Sequence, residues 1–499
     1  MVDVSHSPIL AAIFRHAVAT PDKTVIVTTD GSEVSWSELQ RNIMQGAEWL
    51  SMQGISCGNR VMIAAVKEVE FIYLYLAAHL IGAVNVVVDA EINTAHLQYM
   101  TDMVRPAISI GLKIGGIPSF IYSELDLHTP ADAGSKPNEG QVVSTKELTL
   151  DDTADILFTS GTTGKPKGVL LSHANIAVSA ENINAFIGND AEDVELLGLS
   201  LYHSFGLGRL RCCLMAGGTV ILHNGFANLK SVFTTIEKYG VTGFGMVPAV
   251  WEYIKRFSGT RIARYAPQIR YIEIGSAVLP TEDKKLISEL FPTSRVCMHY
   301  GLTEASRATF IDFHKDRARL ESVGKSAGER VEIRILASDG KEVAVGETGE
   351  ICIKGDMVTA GYLDSAQTDE GFYNGYFRTG DSGYMDEEGY LYLTDRIKEI
   401  INVGGNLVSP VEIEEEVKKI SGAESVCMAA ADPDGILGEV PRLLILGDTL
   451  TIDIEELRKR LRERIEGYKY PRFFDIVDSL PVTANGKKKR IKESPQSKP

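Results

Sequence analysis

The sequence predicts an α/β protein: a large N-terminal domain of αβ-layered subdomains with a β-rich subdomain, followed by a small α+β C-terminal domain. Three observations carry this. Strand and helix patterns alternate to about residue 310, the texture changes from Gly328 to short strands and turn signals, and after Asp395-Arg396 a new set of elements begins. A length of 499 residues suits about three compact units at ~150 residues each.

In chain order, the patterns give a helix from about Ile9 to Ala17, a strand Thr24 to Thr28, a helix Trp36 to Met52 behind a Ser35 cap, and a strand Arg60 to Ala65. The most apolar stretch, Phe71 to Val88, is interrupted by His79, Gly82 and Asn85. It reads as a buried helix (Glu68 to Ile81), a glycine stop and a buried strand (Ala83 to Val88), not as a membrane span. Such alternation implies parallel βαβ units with helices on both faces of the sheet. It resumes after the polar stretch Thr129 to Thr149. Val331 to Ile335, Gly349 to Ile353 and Asp386 to Tyr392 then read as short strands with turns at Ser338-Asp339-Gly340 and Glu388-Gly389. The last unit has an acidic helix at Val411 to Ile420 and a basic helix near Ile454 to Ile465. The expected division is 1–396 and 397–499.

Composition narrows the function. With 51 Lys+Arg against 67 Asp+Glu the formal net charge is −16, which disfavours a general nucleic-acid or anionic-membrane binder. Hydrophobic residues at 44% and charged residues at 24% are those of a folded protein rather than a disordered or collagen-like one. The six cysteines lack the paired C-x-x-C spacing of a zinc site, so reduced thiols are expected. The start MVDVSHSPIL has no basic n-region and the end has no SKL address, which places the protein in the cytoplasm.

The most informative stretch runs from Asp155 to Gly168. DILF reads as a buried strand and TSGTTGKPKG as a glycine-rich turn. Gly161, Gly164 and Gly168 let backbone N–H groups converge on an anion, Thr159, Ser160, Thr162 and Thr163 add hydroxyl donors, and Lys165 and Lys167 add positive charge. A Walker A loop is excluded: only two residues separate the glycines of GTTGK, and Pro166 stands where Ser or Thr would ligate magnesium.

SGTTGKPKG resembles the signature loop of the adenylate-forming superfamily, which holds acyl- and aryl-CoA synthetases, nonribosomal-peptide adenylation domains and beetle luciferases. Further segments match in the family's order: Tyr300-Gly301-Leu302-Thr303-Glu304, Tyr376 to Asp381, Asp395 to Glu399 followed by Val403-Gly404-Gly405, and Leu480 to Lys487. The resemblance covers nearly the whole chain. It implies that an acid and ATP form an acyl-adenylate and pyrophosphate, after which the acyl group passes to the thiol of coenzyme A.

The resemblance also implies roles. Thr159 to Lys167 would close over the β- and γ-phosphates, Glu304 would hold Mg²⁺, and Thr303 would touch the α-phosphate. Tyr300 would stack on adenine, Asp381 would accept from both ribose hydroxyls, as suits a carboxylate facing a vicinal diol, and Arg396 would meet the ribose or phosphate. Lys487 would bridge the attacking carboxylate and the α-phosphate. Lys398 falls at the hinge about which the mobile small domain rotates between the two half-reactions, and Gly404 and Gly405 would admit the pantetheine arm. The acid pocket would take in His203, Phe205, Val247, Gly275, Ser276, Ala277 and Gly301. His203, where amino-acid-activating domains usually carry Asp, favours an acid without an α-amino group. Gly275-Ser276-Ala277-Val278-Leu279 departs from the family's usual glycine-proline form of this element. Rival readings are an enzyme that loads an acyl carrier protein's phosphopantetheine, a luciferase-like monooxygenase and a non-catalytic nucleotide sensor. Intact Glu304, Asp381 and Lys487 argue against the last.

Overall fold

The computed structural model describes residues 3–125, 147–159, 166–337, 339–396, 401–447, 452–481 and 490. Six parallel strands form the centre of a nine-stranded sheet. In spatial order they are Thr24–Val27, Thr219–Leu222, Val194–Leu197, Gly243–Met246, Tyr271–Ile274 and Arg295–Tyr300. A seven-stranded sheet has five parallel strands, Ser119–Phe120, Ile108–Ile110, Arg60–Ala65, Val84–Asp89 and Thr153–Thr159, then Lys167–Ser172 and Gly361–Tyr362 antiparallel at the edge.

Helices Val69–Leu80 and Ser204–Ala216 are buried along nearly their whole length. They share one core with side chains of both sheets, which is why neither shows a polar face. A charged tie crosses this core: Tyr75 Oη donates to Asp155 Oδ2 at 2.9 Å, His79 Nε2 lies 2.9 Å from Asp155 Oδ1, and Arg211 pairs with the same carboxylate. Burial opposes ionisation of Asp155, but Arg211 and His79 hold its carboxyl below the usual range. Asp155 lies in the strand that feeds the glycine-rich loop, so the tie fixes that strand against the two buried helices.

The β-rich subdomain is a five-stranded sheet built on Val331–Leu336, Gly349–Gly355, Phe372–Tyr373, Tyr376–Met385 and Leu391–Arg396. The small unit has its own hydrophobic core, drawn from a hairpin (Ile401–Val403 and Asn406–Val408), helices Pro410–Ser421 and Ile454–Arg462, and the sheet Ser425–Ala431, Glu439–Leu446 and Phe473–Val477.

The sequence expectation of helix Trp36–Met52 is met to the residue, with Ser35 and Glu38 forming a capping box. Gly82, at φ +71, ends the buried helix as expected. Two elements differ. The turn expected at Glu388-Gly389 takes up residues 386–390, because the Asp386 carboxylate accepts from the N–H groups of Glu388 and Tyr390, and the strand begins only at Leu391. The last helix stops at Arg462 instead of continuing to Ile465. Among the described residues, no helix is long and apolar enough to cross a membrane.

Candidate active site

The antiparallel pair Thr153–Thr159 and Lys167–Ser172 sets Thr159 opposite Lys167. Both line a cavity of about 440 Å³, a size suited to a small-molecule site. Ser160, Gly161, Thr162, Thr163, Gly164 and Lys165 lie outside the described residues, as do Lys398, Lys487 and the side chain of Arg396.

Thr303 and Glu304 follow the strand Arg295–Tyr300 and also line the cavity. Glu304 Oε1 accepts from Tyr362 Oη at 2.8 Å, and Lys167 Nζ lies 5.1 Å from the Tyr362 ring centre. Burial and the Glu304 carboxylate raise the Tyr362 hydroxyl well above its ordinary pKa, so it stays a donor. Thr303 Oγ1 is 3.4 Å from Ser204 Oγ. A carboxylate with a hydroxyl beside it, facing a phosphate-sized space, is the oxygen donor set that Mg²⁺ prefers, so the residues fit the ion the resemblance implies. Asp381 Oδ2 accepts from Tyr300 Oη at 2.8 Å, and the strand register sets Arg396 opposite Asp381. Asp381 lines the cavity, whereas Tyr300 reaches it only through that hydrogen bond.

At the other end stand His203, Phe205, Val247, Ser276 and Gly301, with Tyr202, Phe226, Val250 and His299. His203 is exposed and lines the cavity. Desolvation there depresses its pKa, partly offset by Asn406, whose Oδ1 lies 3.1 Å from His203 Nε2. Two expected pocket residues are corrected: Gly275 and Ala277 do not line the cavity. The His299 ring overlies Gly275, where an added Cβ would sit 2.1 Å from it.

Behind His299 is a buried charge cluster that the sequence did not reveal. His299 Nδ1 lies 2.7 Å from Glu273 Oε1, Arg307 Nε 3.2 Å from Oε1, and Arg209 Nη1 3.3 Å from Oε2. Arg307 has φ +53, an unfavourable backbone for a long side chain, and is held there by bonds to the carbonyls of Ser204 and Phe205. These carbonyls open the helix that carries Phe205. The cluster therefore fixes the pocket wall, although its charges are spread over two strands, a helix and a loop with no local pattern to mark them.

The cavity's roof comes from the small domain. Gly404 and Gly405, with φ +58 and +99, both line it. A Cβ on Gly405 would meet Val247 at 3.2 Å, tighter than an ordinary contact, and the positive φ also favours glycine there. Asn402 Nδ2 donates to the Ser276 carbonyl at 2.7 Å.

The AMP-binding enzyme family matches residues 13–363, and the AMP-binding enzyme C-terminal domain matches residues 412–487. The chain belongs to the AMP-binding enzyme family. It is similar to a feruloyl-CoA synthase of an Amycolatopsis species (29% identity, 95% of this chain and 96% of the relative) and to an oxalate–CoA ligase of Arabidopsis thaliana (30%, 94% and 95%). A double mutant of the o-succinylbenzoate CoA synthetase of Bacillus subtilis, bound with a product analogue, superimposes at a TM-score of 0.83 (26% identity, 96% of each chain). The same synthetase with its acyl-adenylate intermediate gives 0.69 over the same coverage. The chain thus superimposes more closely on the product-analogue complex.

Proposed function

We propose that this chain activates a carboxylic acid lacking an α-amino group and transfers it to coenzyme A. It is an AMP-forming acid–thiol ligase: ATP and the acid give acyl-AMP and pyrophosphate, and the thiol of coenzyme A then displaces AMP to leave the thioester. The observation that carries the reading is one cavity lined both by Thr159, Lys167, Thr303, Glu304 and Asp381 of the large domain and by Gly404 and Gly405 of the small one. A nucleotide and a thiol can therefore meet in the same cavity.

The first step brings a carboxylate to a negatively charged α-phosphate, so donors and cations must be in place where charge develops. Lys167 supplies a cation held near Tyr362, and Glu304 with Thr303 would hold Mg²⁺, which neutralises phosphate charge when bound. Asp381, oriented by Tyr300 and by Thr379 through its own N–H, accepts from the ribose hydroxyls. In this reading Lys487 bridges the attacking carboxylate and the α-phosphate, Arg396 meets the nucleotide, and the two domains divide as 1–396 and 397–499. The acids named in the relatives, ferulic, oxalic and o-succinylbenzoic, have no α-amino group. Among the described residues every cysteine is free, which supports a reducing, cytoplasmic setting.

The test is mass spectrometry of the protein with Mg-ATP, coenzyme A and a mixed pool of aliphatic, aromatic and amino acids. One new thioester mass is expected, together with AMP. Acyl-AMP without thioester would move the acceptor to a carrier protein, and an aminoacyl product would overturn the acid class. Lys487→Ala is expected to abolish adenylation while sparing thioester formation from supplied acyl-adenylate; equal loss of both steps would remove Lys487 from its role.

A further inference from the structure

The small domain meets the large one a second time at a cluster that lines the same cavity but has no role in the reading above. His96 lies in the first turn of helix Thr94–Val104, where the Asn93 side chain caps its N–H. Facing it from the small domain are Glu412, in the first turn of helix Pro410–Ser421, and Glu466 and Lys469 around the turn Gly467–Lys469. His96 Nδ1 lies 2.9 Å from Glu466 Oε1 and Nε2 3.2 Å from Glu412 Oε1. Lys469 Nζ lies 2.9 Å from Glu412 and 2.8 Å from Glu466, and Asn93 Nδ2 donates to Glu466 Oε1 at 2.8 Å.

One histidine and two carboxylates within 4.8 Å of one another have the spacing of a metal site. The Lys469 ammonium already stands between the two carboxylates, where a cation would sit, so the cluster is an ion-pair network instead. It is balanced: two carboxylates, one lysine and one imidazolium, with side chains at most 15% exposed. Burial by itself would discharge His96, but its bonds to Glu412 and Glu466 outweigh this and raise its pKa to about 9; Glu466 is lowered to about 2. Lys469 keeps both carboxylates wherever the small domain goes, whereas His96 has them only when the domains stand as they do here.

We propose that His96 is a positioning residue for the thioester-forming step, tying the small domain to the large one in the arrangement that lays Gly404 and Gly405 over the cavity. This rests on the ligase reading and on the better superposition with the product-analogue complex. The resemblance implies that the small domain stands elsewhere during adenylation, so His96 is given no part in that step.

The experiment measures the two half-reactions separately in His96→Ala and His96→Gln: acid-dependent ATP–pyrophosphate exchange, and transfer from preformed acyl-adenylate to coenzyme A. Exchange, including its KM for the acid, is expected to stay at the wild-type value, while transfer falls about 10- to 100-fold, within what a pKa displaced from 6.5 to about 9 can couple. The ratio of wild-type to variant transfer should decline as pH rises through about 9, and His96→Lys should restore much of it at neutral pH. Equal loss of both half-reactions, or a transfer rate untouched by either variant, overturns the role. A wild-type protein that exchanges pyrophosphate but never acylates coenzyme A overturns the ligase reading, and this role with it.

Discussion

The charge cluster around Glu273 and the one around His96 are built from the same groups, carboxylates paired with histidine and long cations out of water, yet they do opposite work. Glu273, Arg209, Arg307 and His299 all belong to the large domain and brace a wall of the acid pocket. The His96 cluster spans two domains, the smaller of which has its own hydrophobic core. Their pH responses point in opposite directions. Burial disfavours the Glu273 charge, but Arg307 and His299 overcome it and hold its carboxyl well below its ordinary 4.5. The stability it contributes is therefore present above that value and lost as pH falls toward the folded one. His96 is raised from 6.5 to about 9, so its contribution is whole below 6.5 and lost as pH rises through about 9. A cluster meant to stay shut fails in acid, and one meant to open fails in alkali.

The sharpest way to break this contrast is Glu273→Ala, which leaves Arg209 and Arg307 buried without their shared partner. Denaturant unfolding should show a loss of about 3–5 kcal/mol, and both half-reactions should fall together. Glu412→Gln, whose Lys469 and His96 keep Glu466, should lose less stability than Glu273→Ala in the same assay while slowing transfer. If the two variants lose equal stability, the contrast fails.

Gly405→Ala comes next. Its φ of +99 and the 3.2 Å approach to Val247 together should cost about 1–2 kcal/mol. Transfer to coenzyme A should drop at least tenfold with adenylation little changed, read in the same pair of half-reactions. The smallest effect expected is His299→Ala, which removes the ring lying over Gly275. Competition between a short and a bulkier acid should shift about tenfold in kcat/KM toward the bulkier one. An unchanged ratio would mean that His299 does not set the pocket's depth.

Much of the nucleotide end was legible in the sequence because it is local. One strand, one loop and one returning strand place Thr159 opposite Lys167, and the run Tyr300 to Glu304 carries three groups within five residues. The capped helix Trp36–Met52 was legible for the same reason. What escaped notice is assembled over long separations. Tyr362 meets Glu304 from 58 residues away, and Asn406 meets His203 across 203. His299 covers Gly275 from a neighbouring strand, so a glycine expected to face the acid lies beneath an imidazole. Burial of charge leaves no periodicity: Glu273 and Arg307 look like surface residues in the sequence, and only the packed strands show that each is the reason the other can be there.

The packing of Gly405 on Val247 has a consequence for which acids are turned over. An acid wide enough to push Val247 outward could still be adenylated while the small domain stands elsewhere, but it would keep Gly405 from seating and so stall before the thiol arrives. A cavity whose lid is also the second workbench inspects its cargo twice, once by its walls and once by whether the lid will close.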